Sequence, residues 1–570
     1  YTFSQLISFT RTSSATYVNS AGNIVTTPAS KNLLTFTEEF DNAAWTKTDT
    51  TVTANNALAP DGNSTADTLT EGSAGTGQVG ATGSVPSAGA AATCSIYLKR
   101  GNTDWVRVQV INGANGFRAW FNLSTGAVGA SGAVGTGSFT GASIVSAGNG
   151  WYRCILAGAI PSVTAYSAFT NTASADNSST RVSGGTYLAW GAQLELGSTA
   201  TSYVRNFGGL FPPRFDYDPV TLQPRGLLIE EQRTNLLTYS EDWTNAAWNK
   251  TNITVTAAAT TSPDGTADAQ KLEATATAAT STITPIVTVA ATAATFSVYV
   301  KQGTGATTAN TFTLRNDTSA TNLIRGTLDY STGVFTYITG STGVIVTNAG
   351  NGWWRIVMTA TSGITSGNTI RGYVGFDGGP QTAGNHLFAW GAQLEAGSFA
   401  TSYIPTVASQ VTRAADQASI VAPNFTPWYN QSEGTFVVEA DSTINPTVLS
   451  VFRAAAVSDG TSGNAVSLFT YNAKWGGSVT VGGANQCDLL QSGSYTANVP
   501  AKVAMAYKAN DFAVSVNGLT ALTDASGSIP AVDRLSIGSI NNVGPLNGHI
   551  RRIAYYPSRL SNAQLQALSA

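Results

Sequence analysis

FPPRFDYDPVTLQPRGLLIEEQRTNLL, residues 211–237, stands between two long stretches that are versions of the same sequence. Charged residues make up only 11% of the chain, against roughly a quarter of a typical soluble domain. This seam nevertheless gathers Arg214, Asp216, Asp218, Arg225, Glu230, Glu231 and Arg233. A charge-rich seam in a charge-poor chain marks the piece around which the rest is organised.

On either side, the landmarks of one stretch return in the other. NLLTFTEEFDNAAWTK (residues 32–47) recurs as NLLTYSEDWTNAAWNK (235–250), and Pro60-Asp61-Gly62 as Pro263-Asp264-Gly265. SIYLKRG (95–101) recurs as SVYVKQG (297–303), LSTGAV (123–128) as YSTGVF (330–335), and AGNGWYR (147–153) as AGNGWWR (349–355). The repeats end on LAWGAQLELGSTATSY (188–203) and FAWGAQLEAGSFATSY (388–403). The chain contains a duplicated domain.

Within each repeat, short runs of β-branched and aromatic residues alternate with Gly, Asn, Asp and Ser turns, and no useful helical period occurs. SIYLK and FSVYVK alternate with period two, as strands do when one face of an antiparallel sheet is buried. So many short strands close most naturally as two packed sheets, which predicts a jelly-roll β-sandwich for each repeat. Upstream, ATYVNSAGNIVTT reads as a hairpin about a Gly-containing turn. Residues 404–431, with three prolines, read as a linker. Beyond them, GTFVVEADS, KVAMAYKANDFAVSVNGLTAL and DRLSIGS predict a third sandwich, with Asn517-Gly518 as a tight turn. The chain closes with one short helix capped by Ser561, from which Leu565 and Leu568 face the sheet.

The 570 residues suit several domains. A net charge of −3 with 29 scattered basic residues argues against a nucleic-acid partner, which needs clustered Lys and Arg. No apolar run reaches bilayer length, so no membrane insertion is expected, and the opening residues lack the layout of a signal peptide. The first residue is Tyr1 rather than Met, consistent with an anchoring segment cleaved or left out. Cys94, Cys154 and Cys487 form no disulfide framework, and Cys94 and Cys154, inside apolar strand-like runs, read as buried free thiols, which fits assembly in a reducing cytosol.

The repeats, with NLL at the start, an early Trp and AWGAQLE…ATSY at the end, resemble the carbohydrate-binding-module jelly roll found in bacteriophage fibres. The last region, with YKANDFAVSVNG and LNGHIRRIAYYPSRLS, is similar to the concanavalin A-like, laminin-G-like lectin sandwich. FTRTSSATYVNSAGNIV and RFDYDPVTLQPRGLLIEEQRTNLL resemble the two halves of a short domain of phage head-spike or tail fibres. In that family the halves follow one another closely, whereas here the first repeat separates them. The resemblance therefore implies an inserted first repeat, with residues 9–27 and 214–230 pairing in one small sheet. The expected division is a split small β domain (1–30 plus 206–234), a first jelly roll (31–205), a second (235–405), the linker (406–431) and a lectin-like sandwich (432–570).

A search for catalytic chemistry is mostly negative. The two histidines, His386 and His549, are far apart, and Thr186 stands in repeat one where His386 stands in repeat two. No nucleophile elbow, phosphate loop or paired-Cys motif appears. A glycosidase needs two carboxylates about 5 to 10 Å apart. Glu230 and Glu231 are strand neighbours and point to opposite faces. Glu231 with Arg233 reads as an ion pair, and Asp61 and Asp264 as turn residues. Carboxylates on distant strands remain open to meeting.

Saccharide sites combine an aromatic plane with amide, carboxylate or guanidinium partners. Trp45, Trp151 and Trp190 recur as Trp248, Trp353 and Trp390, and read as core. The unpaired candidates for carbohydrate binding are Trp105 and Trp120 with Arg107 and Arg118, and Trp475 with Asn485. The resemblance further implies a structural calcium, for which Glu39 and Asp41 are candidates, though Thr244 replaces Asp41 in repeat two. It implies a homotrimer on a virion surface, assembled in the host cytoplasm beside other virion proteins. The expected function is non-enzymatic adhesion of a fibre or head spike to host surface polysaccharide. A structural decoration or spacer protein and a capsule depolymerase are the alternatives.

Overall fold

The computed structural model describes residues 7–27, 31–73, 75–206, 208, 211–277, 280–305, 310–376, 382–421, 424–444 and 450–570. The ends of the predicted split domain at residues 1–6, 28–30, 207 and 209–210 lie outside them, as do parts of the linker and lectin-like segments at 422–423 and 445–449. The chain is all-β, with one helix among the described residues, Asn562–Ser569. It divides into two compact units: Tyr1–Thr12 with Pro28–Pro212, and Ser13–Thr27 with Pro213–Ala570.

The first unit holds repeat one, a sandwich of two six-stranded antiparallel sheets. One sheet runs in the order Ala127–Val134, Asn115–Asn122, Trp105–Asn112, Ala165–Ala173, Gln78–Ser84, Thr46–Thr48. The other runs Ser138–Gly148, Trp151–Ala159, Ala92–Arg100, Thr186–Leu196, Ala66–Glu71, Thr50–Ala57. Alternation assigns the faces: Val106, Val108 and Val110 point into the core with Phe117, Phe121, Leu98 and Leu156, while Trp105, Arg107 and Gln109 take the other face. Cys94 and Cys154 are free and buried in this core.

In the second unit, repeat two has the same strand order in both sheets. Its core is built on Trp243, Trp248, Phe296, Phe312, Ile356 and Leu394. All six recurring tryptophans are buried, as expected of core residues. The lectin-like sandwich follows. One of its sheets is seven-stranded, in the order Arg214–Tyr217, Pro224–Ile229, Gly548–Tyr556, Glu433–Ala440, Ala501–Lys508, Phe512–Val516, Leu522–Asp524. The facing sheet includes Gln417–Val421, Arg534–Ile537, Phe452–Ser458, Ala465–Tyr471, Lys474–Val481 and Ala484–Gln491. Asn517 and Gly518 take positive φ of 50° and 73° and make the predicted tight turn, closed by the Leu519 amide donating to the Val516 carbonyl at 3.0 Å. Ser561 caps the helix in a reciprocal capping box with Gln564. Buried Leu565 and half-buried Leu568 pack on Val437, Ala504 and Ala513.

Two expectations are corrected. The hairpin Thr16–Val18 with Ile24–Thr26 forms its own two-stranded sheet, while Arg214–Tyr217 and Pro224–Ile229 extend the lectin-like sheet through Leu227 opposite Ile550 and Leu228 opposite His549. The apolar run GLLI completes a larger sheet instead of a small one with residues 9–27, and the hairpin meets the seam through side chains. The predicted linker is also structured. Val411–Arg413 pairs with Arg233–Asn235, Gln417–Val421 is a sheet strand, and Arg413 and Asp416 are buried.

Candidate functional site

The seam strands line one wall of a cleft of about 700 Å³ in the second unit, a volume within the range of small-ligand sites. The hairpin supplies Tyr17 and Val18, the seam Asp216, Tyr217 and Arg225, and repeat two Tyr299, Asn348 and Phe399. His549 and Arg551 come from the lectin-like sheet. On Arg214–Tyr217 the burial alternates, with Arg214 and Asp216 turned inward and Phe215 outward, so period-two geometry directs both charges to one face.

His549 lies between two carboxylates. Its Nε2 is 2.8 Å from Asp216 Oδ2 and its Nδ1 2.8 Å from Asp441 Oδ1. An imidazole that donates from both nitrogens is the protonated form. Burial lowers the His549 pKa, but the charges of Asp441 and the hydrogen bonds to Asp216 and Asp441 outweigh it and hold the pKa above its ordinary value. The other oxygen of Asp216 accepts the Val18 amide at 2.6 Å. One histidine thus joins the lectin-like sheet, the seam and the N-terminal hairpin.

Behind this clasp lies a charge-balanced buried quartet of Arg214, Arg413, Glu230 and Asp416. Glu230 is 2.7 Å from Arg214 Nη1 and 2.6 Å from Arg413 Nη1, and Arg214 also pairs with Asp416. Burial raises the Glu230 pKa, yet the two guanidinium groups and the Ser402 hydrogen bonds overcome it and hold the carboxyl well below the usual range. Ser402 donates to Glu230 from its amide (2.6 Å) and its hydroxyl (2.7 Å). Arg214 donates to the Thr16 carbonyl at 2.9 Å, and the Thr16 hydroxyl donates to the Tyr403 carbonyl. Glu231 pairs with Arg233 at 2.6 Å, as the sequence indicated.

Beside the quartet, Tyr299, Trp390 and Tyr403 form an aromatic cluster, with ring centroids of Trp390 5.5 Å from Tyr299 and 4.7 Å from Tyr403. Gly391, at φ 61°, turns the bulge after Trp390 where an added Cβ would press on Tyr299 and Tyr403. Ile24 and Val18 of the hairpin pack on this cluster.

The residues singled out from the sequence fall elsewhere. Trp105, Arg107, Arg118 and Trp120 do share the outer face of one sheet of repeat one, with Trp120 opposite Arg107 and Trp105 opposite Asn122. The Arg118 and Arg107 guanidinium carbons lie 4.9 and 5.8 Å from the Trp120 ring centroid. Trp120 is nevertheless buried, its Nε1 donating to the Ser178 carbonyl at 2.8 Å, and Arg107 is buried with Nη2 donating to Asn171. Trp105 and Arg118 remain half-buried. Trp475 has no exposed surface. Neither Trp120, covered on the outer face of its sheet by Arg107, Arg118 and Ser178, nor the fully buried Trp475 offers a face for a sugar ring. Asn485 is exposed and its Oδ1 accepts the Cys487 amide. Glu39 lies 3.3 Å from Arg205 Nη2, and Asp41 is exposed. No group of three or more His, Cys, Asp or Glu placed to hold a metal ion occurs among the described residues.

Sequence reasoning missed His549, Asp216, Asp441 and Glu230 as one constellation. Asp216 and Glu230 come from the seam, Asp441 from just past the strand Glu433–Ala440 and His549 from the strand Gly548–Tyr556, and no local spacing signals their meeting.

The sequence matches no protein-family model and no curated protein. Among solved structures, it is similar to the CBM40 of Ruminococcus gnavus IT-sialidase bound to α2,3-sialyllactose, at 21% identity and TM-score 0.22, over 25% of this chain and 84% of that one. The CBM22 tandem of Paenibacillus barcinonensis Xyn10C matches at 13% identity and TM-score 0.23, over 65% and 98%. Domains LG4-5 of the mouse laminin α1 chain match at 10% identity and TM-score 0.19, over 47% and 84%.

Proposed function

We propose that this chain is a fibre or head-spike component of a phage-like particle that adheres to host surface polysaccharide through its β-sandwich modules. The observation that carries the reading is the cleft of about 700 Å³. Its tyrosines, amides, hydroxyls and guanidinium groups match the C–H faces and hydroxyl edges of a short oligosaccharide. Its carboxylates are committed elsewhere. Asp216 is held by His549 and the Val18 amide, and Glu230 by Arg413, Arg214 and Ser402. Glu230, held ionised by two guanidinium groups, makes a poor general acid, which supports binding without hydrolysis. A symmetric trimer would present several such clefts to one surface, where effective concentration multiplies weak affinities.

The test is a host-glycan array probed with the full chain and with Tyr217→Ala and Arg225→Ala. Retention that falls about tenfold or more in the variants supports the cleft. Absence of retention on every host glycan favours a spacer role, and new reducing ends on incubation with purified capsule would establish a depolymerase.

A further inference from the structure

The two repeats carry the same surface in two different states. In repeat two, the hairpin and seam sit on a dock with three parts. The Pro-Asp-Gly turn accepts from the hairpin, its Pro263 carbonyl taking the Ile24 amide at 3.0 Å. The aromatic cluster receives Ile24 and Val18. The terminal Thr-Ser-Tyr presents the Ser402 amide and hydroxyl to Glu230 and the Tyr403 carbonyl to Thr16. Two glycines mark the rim: an added Cβ at Gly265 would lie 2.9 Å from Asn23, and one at Gly350 2.8 Å from the Pro219 carbonyl.

Repeat one retains every one of these residue types, as Pro60-Asp61-Gly62, Tyr97, Trp190, Gly148 and Thr201-Ser202-Tyr203. Its aromatic cluster has nearly the same geometry, with Trp190 5.3 Å from Tyr97 and 4.9 Å from Tyr203. Here, however, a Cβ at Gly62 or Gly148 would meet nothing within 4 Å. Thr201 and Ser202 are exposed where Thr401 is buried and Ser402 half-buried, and Tyr97 and Tyr203 are half-buried where Tyr299 and Tyr403 are buried. Among the described residues, no hydrogen bond reaches the Ser202 amide or hydroxyl, or the Tyr203 carbonyl. The internal control is Gly150 against Gly352: each stands 3.5 Å from its own lysine, Lys99 or Lys301. The two turns have the same local structure and differ in what covers them.

We infer that this face of repeat one is a docking surface for a partner polypeptide, and that the partner contributes a β-hairpin with a Val/Ile face and a neighbouring carboxylate. Repeat two shows what the surface takes. The apolar pair covers the aromatic cluster, the carboxylate receives the Ser202 amide and hydroxyl, and a hydroxyl donates to the Tyr203 carbonyl. The chain's own hairpin is already engaged by repeat two, where covalent connection gives it a high effective concentration, so the occupant of repeat one comes from another chain. This assignment is independent of the saccharide cleft, which lies in the second unit.

The probe is a fluorescein-labelled synthetic peptide in which residues 13–27 are joined by a short Gly/Ser linker to residues 213–231, titrated into the full chain by fluorescence anisotropy. Saturable one-to-one binding is expected, with Kd raised at least tenfold by Ser202→Glu, which sets a carboxylate against the incoming one. Ser202 is exposed, and an unchanged Tm confirms that the variant folds. Hydrogen exchange gives the second readout, with protection expected on addition of peptide at Gly62 and Gly148 and unchanged at Gly265 and Gly350. Absence of binding up to millimolar peptide, equal affinity for Ser202→Glu, or protection of Gly62 and Gly148 by saccharide alone would each overturn the inference.

Discussion

Glu230 receives both the amide and the hydroxyl of Ser402, 172 residues further along the chain. The contact fastens the end of repeat two to the seam that precedes it. Because Glu230 also neutralises Arg214 and Arg413 inside the protein, removing its charge leaves two buried guanidinium groups with Asp416 and, for Arg413, the charge of Glu395. Glu230→Gln is expected to destabilise the second unit by about 3–5 kcal/mol, the usual cost of breaking a buried ion pair. Denaturant unfolding of the full chain, followed by hydrogen exchange at Ser402, measures it.

The His549 clasp fixes a pH window. The histidine's folded pKa is raised, so its stabilisation is complete below the ordinary 6.5 and is lost as pH rises through the folded value. Burial pushes Asp441 up, but the His549 charge and hydrogen bonds and Arg225 hold it below its ordinary 3.8, so its contribution is present above 3.8 and is lost as pH falls through the folded value. Amide protection at Val18 and through Pro224–Ile229 is expected to be greatest between these limits. His549→Gln, which can donate but carries no charge, should flatten the alkaline limb.

The first unit responds to pH in one direction. Burial pushes Glu38 and Asp67 each up to about 7, against the opposing pull of Arg205 on Glu38 and of the Asn55 and Phe40 amides on Asp67. Stability that depends on their protonated forms is complete below the ordinary carboxylate range and falls as pH rises toward and through 7. The calorimetric transition of the first unit is expected to move to lower temperature between pH 5 and 8, and Glu38→Gln with Asp67→Asn should reduce that shift.

Trp475 separates packing from binding. It is fully buried, so Trp475→Ala is expected to cost about 3–5 kcal/mol. Glycan retention measured well below the lowered Tm should stay unchanged. Lost retention in a folded variant would return Trp475 to the list of binding residues.

The fold was largely legible because its signals are local. Alternation in SIYLK and SVYVK, the Ser561 cap and the return of AGNGW and AWGAQLE each report a strand, a helix start or a copy within a few residues. The candidate site was not. Trp120 and Trp475 drew attention as unpaired aromatics, but whether an indole lines a surface or an interior depends on what packs over it, such as Ser178, and no period encodes that. Asp216 and His549 were present as ordinary strand residues and Asp441 as the residue after a strand, and their meeting depends on the sheet register. The seam hid its role for a related reason: GLLI reads as a strand without saying which sheet it joins.

The hairpin of residues 16–26 has consequences for biosynthesis. Its partners Asp216 and Tyr403 follow it by 198 and 387 residues. At roughly 5–20 residues per second the ribosome needs on the order of 20–80 s to deliver the second of them. Over that interval the sandwich of repeat one can close from contiguous sequence, while the Tyr299, Trp390 and Tyr403 cluster that will cover Val18 and Ile24 has yet to be made. The last strand to arrive, Gly548–Tyr556, brings the histidine that locks the first hairpin made. Termination just before it would take His549 from Asp216 and leave the hairpin held by its contacts to Asp216, Pro263 and Tyr403.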